Sequence, residues 1–401
     1  MRRLMTTVLL LLSCAAAWAF AAPAGAQAPS RTTEVTNGAL PDTVWIPPGH
    51  VLGLAPGEAF EPVAVLMNGI DHRVGMFDNL AAATVIGRDS GAYRFLELDV
   101  LERSLNRDDG RVGLAADGSR LVWVEPEGPI IIRVWDPSTG DLRTHRVTQY
   151  SDQAEPKLTM SPDGSQIALQ VAELRQGEYA RSTRAMDLES GLLTRVPACS
   201  VPIGWSNDGT EVLCAGEDTL RAISTDTGKA RTLGPFTDAT WPVMLSPDER
   251  YAAATSDPGG EPVVVDLRSG RQLPLAAADA PAQEHPVQGW ADDHTVVVLD
   301  RDTGLVAEDV VDGSTEPMVD VPTSVVDYAG FRVASGLLAA EPYSAPEPDW
   351  PTDPRMQILL VFGGIAAVIV GGLLVTEFLM PSKPRRIFRR RRPTAQSAHQ
   401  S

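Results

Sequence analysis

An all-β fold, a β-propeller of six or seven four-stranded blades followed by one C-terminal transmembrane α-helix, is what this 401-residue sequence predicts. Three observations carry the expectation: a unit written five times between Leu114 and Gly313, a Gly turn closing each unit, and one uncharged apolar run near the C-terminus. Each unit reads as an apolar stretch, an Asp-bearing turn, an apolar strand, a second strand and a Gly turn. The first turns are AADG at Asp117, SPDG at Asp163, SNDG at Asp208, SPDE at Asp248 and ADDH at Asp293, spaced by 46, 45, 40 and 45 residues. A period of about 40–45 residues gives one four-stranded unit per repeat, the spacing of a propeller blade.

Within the units, Leu121 to Val124, Ile167 to Val171, Val212 to Ala215 and Thr295 to Leu299 are strands by composition. The closing turns end at Gly140, Gly191, Gly228, Gly270 and Gly313, where Gly supplies the positive φ of a tight hairpin. Asp and Ser at the turn starts bond the backbone two residues on, so these acids are read as turn builders rather than ligands. The SPDG turn, the strand after it and the D-x-x-[ST]-G turn resemble the WD40-like, TolB-type propeller repeats of exported bacterial proteins. That resemblance covers five units and rests on turns and strands; it implies a fold and an extracytoplasmic setting, not an activity. Glu249 and His294 stand where the turn Gly is expected, so the fourth and fifth turns are expected to use another geometry.

Upstream, Ala83 to Arg88 and Tyr93 to Asp99 read as strands of a sixth unit, with Val63 to Met67 and Val74 to Phe77 as partners. Downstream, Phe331 to Ala334 and Leu337 to Ala340 are short strands that would pair near Val51 to Leu54 and close the ring as a shared seventh blade. Closure removes the unpaired edges an open ring would present.

Residues 1–26 begin with Arg2 and Arg3, continue apolar and end in Ala24-Gly25-Ala26, the plan of a cleavable secretory signal. Leu11-Leu12-Ser13-Cys14 loosely imitates a lipoprotein box, but the apolar region runs on past Cys14. Ile358 to Thr376 is a nineteen-residue run without charge, enough at ~1.5 Å per residue to cross most of a ~30 Å hydrocarbon core. Lys383, Arg385, Arg386 and Arg389 to Arg392 follow it, whereas Glu341, Glu347, Asp349 and Asp353 precede it. The positive-inside rule then places the basic tail in the cytoplasm and the propeller outside. The expected organisation is a signal peptide 1–26, an extracytoplasmic propeller 27–340, a Pro- and acid-rich stalk 341–356 acting as a semi-rigid spacer, a transmembrane helix 357–380 and a basic cytoplasmic tail 381–401. Gly363, Ala367 and Gly371 recur at four-residue intervals in the helix, a weak association signal.

The whole chain carries −18; with +2 in the signal and +6 in 358–401, the exported part carries −26. Such a surface repels nucleic-acid phosphates, so no nucleic-acid partner is expected, whereas a basic partner is compatible with it. Two cysteines remain after signal cleavage, Cys199 and Cys214, flanking the Asn207-Asp208-Gly209 turn. An oxidising compartment makes them a disulfide candidate, with two buried free thiols as the alternative.

The sequence lacks G-x-S-x-G, H-E-x-x-H, a Walker loop and C-x-x-C, so no catalytic residue, metal ligand or cofactor is assigned. His50, His72, His145, His285 and His294 are scattered, and Asp300-Arg301-Asp302-Thr303-Gly304 lacks the later acids of a calcium loop. Trp205 and Trp290 occupy one repeat position with Leu114, Met160 and Leu245, a pattern of blade-to-blade packing; Trp135 also fits a strand. The second unit is lengthened by 172–184, which makes Glu173, Arg175, Glu178, Tyr179 and Arg181 the candidate partner-binding loop, against the simpler reading of an extended hairpin. The expected function is a non-enzymatic, membrane-anchored protein-binding or scaffolding module of the bacterial cell envelope. A propeller hydrolase or lyase without a local motif, and an envelope ligand sensor, are the rival classes.

Overall fold

The computed structural model describes residues 38–379, except 52, 56, 75–77, 98–100, 102–110, 126–129, 148–156, 176–177, 217, 237–241, 256–260, 277–286, 324–330 and 351–352. The signal peptide 1–26, Cys14, His285 and the basic tail 381–401 therefore lie outside the described residues. The chain divides into two compact units, residues 27–351 and residues 1–26 with 352–401.

The larger unit is a ring of six sheets. Blade 1 holds β1 (Gly53–Leu54), β2 (Val63–Val74), β3 (Asp78–Gly87) and β4 (Tyr93–Leu96). Blade 2 is β5 (Val112–Leu114), β6 (Leu121–Val124), β7 (Ile130–Trp135) and β8 (Leu142–Val147). Blade 3 is β9 (Leu158–Met160), β10 (Gln166–Arg175), β11 (Glu178–Asp187) and β12 (Leu193–Val196). Blade 4 is β13 (Pro202–Trp205), β14 (Glu211–Ala215), β15 (Thr219–Ser224) and β16 (Ala230–Pro235). Blade 5 is β17 (Val243–Leu245), β18 (Tyr251–Thr255), β19 (Pro262–Asp266) and β20 (Arg271–Leu273). Blade 6 is β21 (Val287–Trp290), β22 (Thr295–Asp300), β23 (Gly304–Asp309) and β24 (Thr315–Val319). Blades 2 to 6 are antiparallel meanders in chain order, and the first strands of successive blades are neighbours, so these strands surround the ring axis.

Closure corrects the expected count of six or seven to six. The last strand, β25 (Arg332–Val333), pairs with β2 through Val65↔Val333 and Leu66↔Arg332 and becomes the inner strand of blade 1. The N-terminal strand β1 lies instead at the outer edge, parallel to β4. Both ends of the ring thus share the sixth blade, and Leu337 to Ala340, expected as a strand, begins in a 3-10 turn over Ser335–Leu337. The expected strand over Val74 to Phe77 is also corrected, because β2 continues unbroken to Val74 and turns back as β3 from Asp78.

Six apolar clusters hold the ring, one between each pair of neighbouring blades. Strand alternation explains this: in blade 3, Ile167, Leu169 and Val171 pack toward blade 2, while Ala168 and Ala185 pack toward blade 4. The recurring tryptophans belong to these layers. Trp205 donates its indole N–H to the Thr159 carbonyl at 3.1 Å and Trp290 donates to the Met244 carbonyl at 3.1 Å, each reaching the first strand of the preceding blade. Their polar edge is satisfied while the ring fills the inter-blade core.

The smaller unit contributes helix α1 (Pro354–Leu379). Among the described residues, no helix is long and apolar enough to cross a membrane. The side chains of α1 described in unbroken series, Ile358–Leu374, number seventeen, about 26 Å at ~1.5 Å per residue against a ~30 Å core.

Candidate functional site

The repeat aspartates are the most numerous candidate ligands, and the structure uses them as turn acceptors. Asp163 Oδ1 accepts from Ser161 Oγ at 2.6 Å and from the Ser165 amide at 3.1 Å. Asp208 does the same with Ser206 Oγ at 2.7 Å and Thr210 N at 3.1 Å, and Asp248 with Ser246 Oγ at 2.7 Å and Arg250 N at 3.0 Å. Each serine also accepts the amide that opens the next strand, as in Gln166 N to Ser161 Oγ at 2.9 Å. The Ser206 hydroxyl, followed by the Thr210 amide, holds the Asp208 carboxyl below the usual range. At Asp187 the Ser190 hydroxyl and amide have the same effect. For Asp163, partial burial pushes the carboxyl up, and the bonds from Ser161 and Ser165 more than reverse it.

The fourth and fifth turns part from expectation in opposite ways. Glu249 takes φ 54°, the left-handed conformation that Gly118, Gly164 and Gly209 adopt in the first three turns, so the fourth turn keeps the shared geometry without glycine. The fifth is one residue shorter: Ala291 N donates to Thr295 O, and Asp292 rather than Asp293 accepts the His294 and Thr295 amides, both at 2.8 Å.

These turns also tie blade to blade. Ala116 N donates to Pro162 O, Asn207 Nδ2 to Ser246 O at 2.8 Å, and Gly336 N to Ala116 O. The Asp-turn face is therefore a hydrogen-bonded rim whose polar groups are engaged with one another. Among the described residues, no group of three or more His, Cys, Asp or Glu side chains is placed to hold a metal ion.

The opposite face is built differently. The candidate partner-binding residues Glu173, Arg175, Glu178, Tyr179 and Arg181 lie on an extended hairpin, with Arg175↔Glu178, Leu174↔Tyr179 and Ala172↔Arg181 in register. A second extension, β2–β3, was not legible as one hairpin in the sequence; its two strands pair from Val63↔Gly87 out to Val74↔Asp78. Both are the middle hairpin of their blade, and the second strand runs in one direction in every blade. The two arms therefore leave the ring on the same face, on blades 1 and 3.

Cys199 and Cys214 are joined in a disulfide, closing a separation of 15 residues. Cys199 precedes β13, and Cys214 lies on β14 opposite Pro202, so the bridge fixes the segment entering blade 4. That segment buttresses the blade 3 arm. The Cys199 carbonyl accepts the Thr183 amide at 3.1 Å, and the Ser200 carbonyl accepts Gln170 Nε2 at 3.4 Å.

The third unusual region is the Pro- and acid-rich segment after the ring. Residues 341–350, expected to be a free spacer, lie against blade 1 and the N-terminal segment. Tyr343 N donates to Leu40 O and Asp42 N to Tyr343 O, while Ala345 N donates to Asp42 Oδ1 at 2.8 Å. Trp45 donates its amide to the Tyr93 hydroxyl at 2.8 Å and its indole N–H to Ala345 O at 2.9 Å. Trp350 meets Tyr93 edge-on, with ring centroids 5.3 Å apart. Burial pushes the Tyr93 hydroxyl far above its ordinary range. Burial, then nearby Glu61 and Asp42, pushes the Tyr343 hydroxyl up to about 12.

No protein-family model matches the chain, and no curated protein sequence matches it. Among solved structures, TolB from Acinetobacter baumannii is similar with a TM-score of 0.41 and 16% identity, over 67% of this chain and 65% of that one. Kuenenia stuttgartiensis hydrazine synthase is similar with a TM-score of 0.31 and 18% identity, over 50% of this chain and 56% of that one. The chain thus spans less than two thirds of either, and at these scores the similarity bears on neither activity nor partner.

Proposed function

We propose that this chain is a membrane-anchored, extracytoplasmic β-propeller that acts as a non-enzymatic protein-binding or scaffolding module of the cell envelope. The observation that carries the reading is the division of labour between the two faces. One face consists of short turns whose carboxylates are consumed by their own backbone, and the other projects two long hairpins. A surface of backbone ribbons offers area and hydrogen-bonding edges, the means of protein recognition.

The anchor is supported by α1. Leu359, Leu360, Phe362, Val368, Leu373 and Leu374 are each more than 60% exposed, on a helix with apolar side chains all round. Such a surface is stable only when covered, and lipid covers every side of a helix at once. The sequence extends the uncharged run through Thr376, and the basic residues after it favour a cytoplasmic tail. The acidic exterior and the disulfide agree with an oxidising, extracytoplasmic setting.

The test has two arms. Alkaline carbonate washing of membranes should leave the full chain in the pellet and release a chain ending at Trp350. Crosslinking in intact cells should then co-purify a reproducible protein partner with the full chain. A full chain extracted by carbonate would remove the anchor, and a monomeric, partnerless full chain would remove the scaffold.

A further inference from the structure

The two arms outreach the sheets that carry them. In blades 2, 4, 5 and 6 the middle hairpin stops at Val124/Ile130, Ala215/Thr219, Thr255/Pro262 and Asp300/Gly304. In blade 3, β9 pairs with β10 only over Ile167 to Leu169, yet β10 runs on to Arg175. On that inner side Gln170 still donates its amide to the Lys157 carbonyl. Strand alternation then turns the amides and carbonyls of Ala172 and Leu174 to the same side. Among the described residues, none pairs with β10 there.

A row of unpaired backbone groups at strand spacing is a template for one kind of occupant, another strand. An arriving strand would prolong the line of β9 outward from Lys157. The arm is also set in place before binding, because its base is bonded to Cys199 and Ser200, which the disulfide holds on blade 4. Preorganisation of this sort lowers the ordering cost of association. The corresponding edge of β2 is less suited, since register shifts between Met67 and Ile70 at the base of that arm, and bulges twist an edge away from pairing. Charge chooses among strands: the exported part carries −26, the −18 of the whole chain less +2 in 1–26 and +6 in 358–401, so a Lys- or Arg-bearing strand is favoured.

We propose that the inner edge of β10, at Ala172 and Leu174, docks an extended, basic polypeptide segment of a partner, which joins blade 3 as an added strand. This rests on the ring being a binding module and gives that module its site and its class of partner.

The probe is a phage-displayed random dodecapeptide library, selected against the full chain in detergent. Enriched peptides are expected to be rich in Lys or Arg and to weaken as salt is raised. They should slow hydrogen exchange at the Ala172 and Leu174 amides. Leu174→Pro removes an inward amide while leaving the β11 side paired, and should weaken binding at least ~10-fold, the scale of one or two backbone hydrogen bonds. A second variant, with 172–181 replaced by an Asn-Gly turn, should abolish binding while keeping the wild-type melting temperature; it decides the matter if Leu174→Pro unfolds the arm. Failure to enrich any peptide, or peptides that bind both variants as tightly as the parent, would overturn the proposal. A crosslinked partner retained equally by the parent and the shortened hairpin would remove this edge and leave the scaffold reading standing. Peptides bound at the edge in a chain that crosslinks to no cellular protein would do the reverse.

Discussion

At the scale of single residues, the turns reveal how much of this fold is set by backbone stereochemistry. Gly118 stands at φ 74°, and a Cβ there would collide with the backbone of Val63, the first residue of β2, whose amide donates to the Gly118 carbonyl at 2.9 Å. Gly118→Ala should therefore cost about 2–4 kcal/mol in denaturant unfolding, since neither backbone can withdraw without parting blades 1 and 2. Glu249 is the converse case. Its left-handed backbone carries the strain of a side chain, and its ion pair with Arg231, at 2.8 Å, is solvent-exposed and weak. Glu249→Gly should leave stability unchanged or raise it by up to ~1 kcal/mol, the opposite of the usual cost of a new glycine. The aspartates give the turns a pH signature. Asp187 and Asp208 have carboxyls lowered in the folded state, against ~3.9 in the unfolded chain. A lowered folded pKa contributes stability above the unfolded value and loses it as pH falls through the folded one. Thermal unfolding should vary little between pH 7 and 5 and fall steeply below about pH 4, less steeply in Asp208→Asn.

At the scale of elements, the disulfide joins two arguments. Its 15-residue separation corresponds to about 3 kcal/mol of loop-closure stabilisation. Cys199→Ala with Cys214→Ala should lose about that much in chemical unfolding, and hydrogen exchange should quicken at Thr183 before it does in blades 5 and 6. The local spread would show that the bridge supports the blade 3 arm as well as the whole ring. The elements also divide by how legible they were. Hairpins closed by short turns could be read from the sequence, because Asp, Ser and Gly spell out their geometry within a few residues. The β2–β3 arm could not, because Asn68-Gly69 reads as a turn, whereas in the fold it falls within a register shift and the strand passes through it. Ring closure was legible as a need but not as a count. The pairing of Val333 with Val65 joins residues far apart in sequence and leaves no local pattern. The arms' shared face, and the free edge of β10, follow from topology, which no single repeat contains.

At the scale of the whole molecule, the ring is held shut by more than its shared blade. Leu40 and Val44 sit in the core between blades 6 and 1, and Val44 N bonds to Asp320 O while Asp320 N bonds to Asp42 O, so the N-terminal segment bridges the seam. Residues 341–350 then lie beside that segment. A Pro-rich composition reads as linker because it lacks strand and helix propensity, yet proline does not prevent Tyr343, Ala345 and Trp350 from using their own backbone and rings. The functional boundary of the ring is thus at 350, not 340. A chain ending at Trp350 should be soluble and fully folded. A chain ending at Ala340 keeps β25 but loses the bonds of Tyr343 and Ala345 to Leu40, Asp42 and Trp45, and the Trp350 contact with Tyr93. Four hydrogen bonds at ~1 kcal/mol each and one aromatic pair at ~1 kcal/mol set the loss at about 3–5 kcal/mol. For a ring of this size that is a fall in melting temperature of roughly 5–10 °C. Tyr93 fluorescence and the ionisation of its hydroxyl supply an independent readout: in the shorter chain Tyr93 should titrate nearer ~10, because the cover that keeps it neutral is gone. Equal melting temperatures for the two chains would mean that 341–350 rests on the ring without holding it. The seam would then be closed by β25 and the N-terminal segment alone.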